Sequence, residues 1–302
     1  MKKVLVSLAA LMAVVLSAKA DVEFAYDAGA EIVSAYIWRG QYNGGLSFQP
    51  DVEIGYDGEH TSLRIGAWGN IGASDWMFQK GMATYIDLES GTEINPNTRF
   101  VPELDIVGSF SFFGASVGFN HYYYCDGSNF FSWKGINENI LKENSSTTEV
   151  WAGYSFDHLF GVDFYVNWYT TVAGSDYKDP TAEDMANGLL GRKAWSSYLE
   201  VGYNYTFDAI GLTLGAQVGL SPWESPLYGN EKFACTNISV KVNKEWEFDA
   251  VTLDLFAQGS LNPDGLVTDK KDPAYNVFVK AAGDDKIGVQ KLNGVIGLGI
   301  WF

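Results

Sequence analysis

The 302-residue chain carries 20 Lys and Arg against 37 Asp and Glu, a balance that argues against a nucleic-acid partner. Hydrophobic residues make up 47%, aromatic residues 15%, and glycine occupies 33 positions, yet mean hydropathy is only −0.06. That mixture belongs to many short strands rather than to helices, in one or two soluble domains or a single barrel.

Lys2 and Lys3, an apolar run from Val4 to Leu16 and Ala18-Lys19-Ala20 have the charge, length and small-residue exit of a cleaved secretory signal. Residues 1–20 are therefore set apart, and 21–302 form the folded chain. Without Lys2, Lys3 and Lys19 the basic count falls from 20 to 17 against 37 acids, a formal net charge of −20.

The first strand is expected over Ala28 to Arg39, with Glu31 and Arg39 turned inward, followed by a Gly/Asn turn at Gln41 to Gly45. Phe48, Val52, Ile54 and Tyr56 then alternate with Gln49, Asp51, Glu53 and Gly55, the period of a strand with one apolar face. After a hairpin turn at Asp57 to His60, Leu63, Ile65 and Ala67 oppose Ser62, Arg64, Trp68 and Asn70. A long segment, Ile71 to Arg99, separates these from Leu104, Ile106, Phe110 and Phe112, set against Glu103 and Asp105. Gly114 turns the chain into Val117, Phe119 and Tyr123, and a polar loop ending at Ser146 leads to Val150, Ala152, Tyr154 and Phe156. The same rhythm of short turn and long loop continues. Short turns fall at Asp157 to Gly161, Asp208 to Gly211 and Asp249-Ala250, and long loops at Gly174 to Lys193, Ser221 to Lys232 and Asn262 to Lys291. In the last loop, Ala274 to Ala282 is assigned to a local hairpin or helix.

The closing stretch, Leu292 to Phe302, places Leu292, Gly294, Ile296, Leu298, Ile300 and Phe302 on one uncharged face. About ten residues of period-2 pattern suffice for a tilted strand to cross a bilayer. An aromatic final residue on a paired strand resembles the C-terminal signal read by the barrel-assembly machinery, apart from Val295, where that signal carries a large polar residue. One competing stretch, Ile106 to Cys125, is uncharged and long enough for a membrane helix. Its Gly108, Gly114 and Gly118, and its polar Ser109, Ser111, Ser116, Asn120 and His121, fit two strands instead. The expectation is an all-β fold: a single antiparallel transmembrane β-barrel of about twelve strands, in the bacterial outer membrane with lipid around it, short turns inside and loops outside.

Tyr36-Ile37-Trp38-Arg39-Gly40, Gln49, Ala67-Trp68-Gly69-Asn70 and Glu103-Leu104-Asp105-Ile106 follow an order that resembles the N-terminal pattern of the TorF-type family of outer-membrane porins. The likeness covers about the first third of the mature chain. It departs at Pro50 and in a longer insertion before Glu103. It implies an outer-membrane barrel passing small polar solutes.

Setting the apolar parity toward lipid turns Asp51, Glu53, Glu103, Asp105, Glu149, Asp163, Glu200 and Asp254 inward with Arg39, Arg64 and Lys241. An acidic lumen favours cations. The alternative is that these charges pair into a network filling a barrel that does not conduct, and that serves structure or binds a surface partner through its loops. A third alternative is a lipid hydrolase centred on His121, which shares the lipid-facing parity of Val117 and Phe119 and could use Ser145 or Ser146 as nucleophile. Against it stands an interfacial histidine beside Tyr122, Tyr123 and Tyr124 in an aromatic girdle. No metal-ligand spacing, phosphate loop or nucleophile elbow is present, so no cofactor is expected. Cys125 and Cys235 fall on strands five apart, too far for direct bonding, which leaves only a bridge through an infolded loop. Trp38, Trp68, Trp151, Trp168 and Trp246 are expected in girdles near strand ends, with stacking platforms for sugar as the rarer alternative.

Overall fold

A computed structural model describes residues 23–72, 85–86, 93–94, 102–125, 129–131, 146–178, 181–183, 191–264 and 292–302. The signal at 1–20, Ser145, and most of the long segments after Ile71 and Asn262, including Ala274 to Ala282, lie outside the described residues. Twelve wall strands follow in order: β1 (Glu23–Val33), β2 (Ser47–Asp57), β3 (Thr61–Gly72), β4 (Glu103–Phe112), β5 (Ala115–Tyr124), β6 (Ser146–Ser155), β7 (Asp163–Gly174), β8 (Ser197–Phe207), β9 (Leu212–Ser221), β10 (Ala234–Phe248), β11 (Val251–Leu261) and β12 (Leu292–Trp301). Each pairs antiparallel with the next, and β12 pairs with β1, so the sheet is a closed barrel with no free edge strand.

Side-chain period sets the two faces of this wall. On β12, Ile296 is 63% exposed while its neighbour Val295 is 7% exposed. The outward face also carries Val52, Ile54, Ile65, Val117, Tyr203, Val240 and Leu255, all exposed. Inward positions are mostly small, polar or aromatic, and of the buried apolar side chains Val33, Ala35, Phe256 and Val295 make one cluster inside the seam.

The short connections gather at one end. Phe113 and Gly114 adopt φ of 47° and 78°, the left-handed pair of a two-residue hairpin turn, and Asp249 begins another at φ 54°. Between β6 and β7 the turn is a single helical turn, Asp157–Phe160, closed by Gly161 at φ 63°. Long connections occupy the opposite end, called upper below.

The expected first strand is two structures. β1 stops at Val33 because Ser34 takes over its ladder: Ser34 N–H donates to the Ile296 carbonyl and Ser34 Oγ accepts from the Ile296 N–H, both at 2.9 Å. The chain then turns inward. Tyr36–Trp38 pairs with Gln41–Gly44 as a separate two-stranded hairpin, so Arg39 sits at its tip and not on the wall, and Gln41 to Gly44 is its return strand and not a simple turn.

Candidate functional site

The inner hairpin crosses the upper lumen and is fastened to the far wall. At its tip Arg39 has φ 49° and Gly40 φ 84°. A left-handed backbone is costly for a non-glycine residue, and here it aims the guanidinium at the opposite strands. Gly40 has no room for a side chain, since a Cβ would lie 2.2 Å from the Thr236 carbonyl. Its own carbonyl accepts from Asn293 Nδ2 at 3.2 Å, and Gln41 Nε2 donates to the Leu227 carbonyl at 3.2 Å. The wall is adapted to this contact. Its β9–β10 register breaks beside Thr236 and its β6–β7 register breaks beside Glu149, two bulges that re-aim side chains where the hairpin docks.

Arg39 forms a two-pronged ion pair with Glu149 of β6. Nη2 donates to Oε1 at 2.7 Å and Nη1 to Oε2 at 2.9 Å, with the side chains 8% and 1% exposed. Nη1 also donates to Tyr228 Oη at 2.5 Å. Rings surround the cation: Tyr169 at 4.1 Å, Trp38 and Tyr198 at 4.7 Å and Tyr228 at 6.0 Å from the guanidinium carbon. Glu149 is held in turn by Tyr122 Oη at 2.5 Å and Asn120 Nδ2 at 2.8 Å. Charge-assisted, bidentate bonds of this kind fix geometry as well as energy.

Tyr198 reaches its place because Gly219 lies beneath it; a Cβ at Gly219 would lie 1.9 Å from Tyr198 Oη. Tyr228 comes from the β9–β10 loop, which folds into the lumen and stacks its ring on Trp38 at 5.6 Å and 17°. Ser225 and Asn230 pair across the base of that loop, and Asn230 Nδ2 donates to the Trp223 carbonyl at 2.7 Å.

A second inward group lies on β4. Glu103 and Asp105 are buried on one face, two residues apart, with Glu103 bonded by the hydroxyls of Tyr36 and Tyr124. Asp105 Oδ1 has no hydrogen-bond partner. Tyr36 of the hairpin packs on Trp68 at 5.5 Å. Asp51 and Glu53 line β2, where Arg64 approaches Glu53 at 3.7 Å and also bonds Asp57. Glu200 lies inward close to Tyr165 and Asn167, and the Tyr165 hydroxyl donates to Gln217 Oε1 at 3.4 Å. Lys241 lies over the Phe256 ring at 4.1 Å, and Asp254 is buried near it with Oδ1 unpartnered. Asp163 is exposed at the short-turn end, where Asn204 Nδ2 donates to it at 3.0 Å. Of the residues expected to line a passage, then, Arg39 and Glu149 meet in the clamp, Glu103 and Asp105 form a separate pair, and the others are spread down the wall. A cavity of about 90 Å³ lies in the lower lumen among Tyr165, Asn204, Gln217, Lys241 and Gln258.

The tryptophan expectation is corrected. Trp168 and Trp246 are exposed on the outside, but Trp38, Trp68 and Trp151 are interior, packed on Tyr228, Tyr36 and Tyr169 respectively. Polar-face parity turns Trp68 and Trp151 inward, and the departure of the hairpin from the wall carries Trp38 there. His121 keeps the outward parity of Val117, yet it is buried under Phe130 and Phe131. Its Nδ1 bonds Thr148 Oγ1 at 2.8 Å and its Nε2 bonds the Phe130 carbonyl at 2.6 Å, while Ser146 stands opposite Tyr123. One ring nitrogen thus ties the neighbouring strand β6 and the other holds the segment at Phe130. Cys125 and Cys235 are not joined in a disulfide.

No family model matches the chain, and no curated protein does. Solved structures do. The COG4313 outer membrane channel from Pseudomonas putida F1 aligns over 93% of this chain and 94% of its own, at 12% identity and a TM-score of 0.42. Pseudomonas putida OprB aligns over 93% of each chain, at 10% identity and a TM-score of 0.37. Salmonella typhi OmpF, solved with daunomycin, covers 94% and 98%, at 10% identity and a TM-score of 0.36. At these identities the likeness is one of barrel architecture alone.

Proposed function

We propose that this chain is an outer-membrane barrel providing a narrow passage for small polar solutes, with a preference for cations. The observation that carries it is the contrast between the two faces of one wall. Outside, an apolar surface suits lipid and would be a liability in water. Inside, Glu31, Asp51, Glu103, Asp105, Glu200 and Asp254 face a lumen whose bases are largely committed: Arg39 to Glu149, and Arg64 to Glu53 and Asp57. Acidic side chains along a confined water path raise the local concentration of cations and repel anions. The TorF-type resemblance supports the same reading. On it, lipids surround the barrel, and the assembly machinery engages the strand that ends in Phe302.

Reversal potentials across a planar bilayer in a KCl gradient test the proposal. A cation preference is expected, strongest at low salt where screening is weakest, and reduced by Glu103→Gln with Asp105→Asn. Anion preference, or no change in that double variant, removes the assignment. The inner hairpin favours a second reading, a barrel closed by its own clamp that does not conduct. Absence of current from wild type and hairpin-deleted protein alike would install it. Lipid hydrolysis lost in His121→Ala would overturn both.

A further inference from the structure

The clamp has the composition of a recognition site whose ligand happens to be tethered. One wall of the barrel supplies a carboxylate presented edge-on with both oxygens available, held in orientation by Tyr122 and Asn120. It also supplies the faces of Tyr169 and Tyr198, and the β9–β10 loop closes the set with the ring and hydroxyl of Tyr228. A flat, delocalised cation with two parallel N–H donors satisfies all of these partners at once, and a compact ammonium cannot. Arg39 comes from elsewhere. It arrives on a hairpin of three and four paired residues that is not part of the barrel sheet, with its backbone held in a left-handed conformation.

We propose that Glu149, Tyr169, Tyr198 and Tyr228 form a binding site for guanidinium-bearing solutes, and that Arg39 is its built-in occupant, displaced when such a solute enters. The proposal rests on the channel reading for its consequence, that displacement frees the hairpin and widens the upper lumen. The site itself does not depend on current. A solute carrying one guanidinium and no carboxylate takes the Arg39 position, pairs with both Glu149 oxygens and stacks on Tyr169. The hairpin then loses its ion pair and keeps the weaker contacts of Gly40, Gln41, Trp38 and Tyr36.

The test uses the full chain refolded in detergent micelles and in planar bilayers, with methylguanidinium chloride as probe and methylammonium chloride and urea as controls. By calorimetry, wild type binds methylguanidinium and not the controls. Arg39→Ala binds it about tenfold or more tightly, because the resident competitor is gone. Glu149→Gln binds none. In the bilayer, methylguanidinium on the loop side raises the wild-type conductance, and Glu149→Gln does not respond. Where Arg39→Ala fails to assemble, the wild-type binding selectivity still decides. No binding by assembled wild type, or equal binding of methylguanidinium and methylammonium, overturns the site. Binding to Arg39→Ala alone, with wild type silent, means that Arg39 is a structural clamp and also overturns it. Selective binding in a protein that never conducts supports the site and removes only the channel reading.

Discussion

The upper and lower lumen are built from the same alternating strands, yet they hold charge in opposite ways. Above, Arg39 and Glu149 are almost wholly shielded and satisfied by each other, by tyrosine hydroxyls and by ring faces. Below, Arg64 and Glu53 lie partly open to water and approach at 3.7 Å, and Lys241 and Asn204 border a cavity. The difference teaches that wall parity sets which residues point inward, and that a segment leaving the wall sets what they do there. A buried ion pair needs complete partners to be tolerable; the detached hairpin completes the upper set and nothing equivalent reaches the lower one among the described residues.

Excising the hairpin should break this contrast most. Replacing residues 36–44 by two glycines should make the upper lumen resemble the lower, with a several-fold rise in single-channel conductance; unchanged conductance would show that the constriction lies elsewhere. Glu149→Gln leaves Arg39 buried without its charge partner and should cost about 3–5 kcal/mol, read by urea unfolding in micelles. Converting both Arg39 and Glu149 to Met should recover most of that loss, and no recovery would mean that the rings and not the ion pair hold the tip. Gly219→Ala drives a methyl into Tyr198 and should cost about 1–3 kcal/mol through displaced packing, measured the same way. Arg64→Ala, in the lower lumen, should cost less than about 1 kcal/mol because that pair is partly solvated and loosely spaced. A larger loss at Arg64 than at Glu149 would reverse the comparison.

The barrel was legible because a wall strand repeats one decision many times. Phe48 to Tyr56 or Leu212 to Val218 can alternate cleanly only with one face apolar and one polar, and the turns at Gly114 and Asp249-Ala250 advertise themselves by residue type and length. The same rule already turned Glu103, Asp105 and Glu149 inward, and applied to aromatic residues it would have turned Tyr122, Tyr169, Tyr198 and Trp151 inward too. The girdle expectation for tryptophan obscured this. The hairpin was not legible. Tyr36 to Arg39 alternates as a wall strand does, and what removes it from the wall is the bonding of Ser34 to Ile296, which lies far along the chain. Tyr228 sits in a loop, where no periodicity says which way a ring will fold.

The bond between the Gly40 carbonyl and Asn293 joins residues 253 apart in sequence, and the Ser34–Ile296 bond joins residues 262 apart. Contacts so distant along the chain are slow to find, because the intervening loop must be closed before they form. Sealing the cylinder and latching the hairpin therefore become one late event in assembly. Until β12 arrives, β1 presents an open flank and the Gly40 carbonyl at the hairpin tip lacks its Asn293 partner. Arrest at this stage would leave a curled sheet whose water-filled interior has never been closed off from its surroundings.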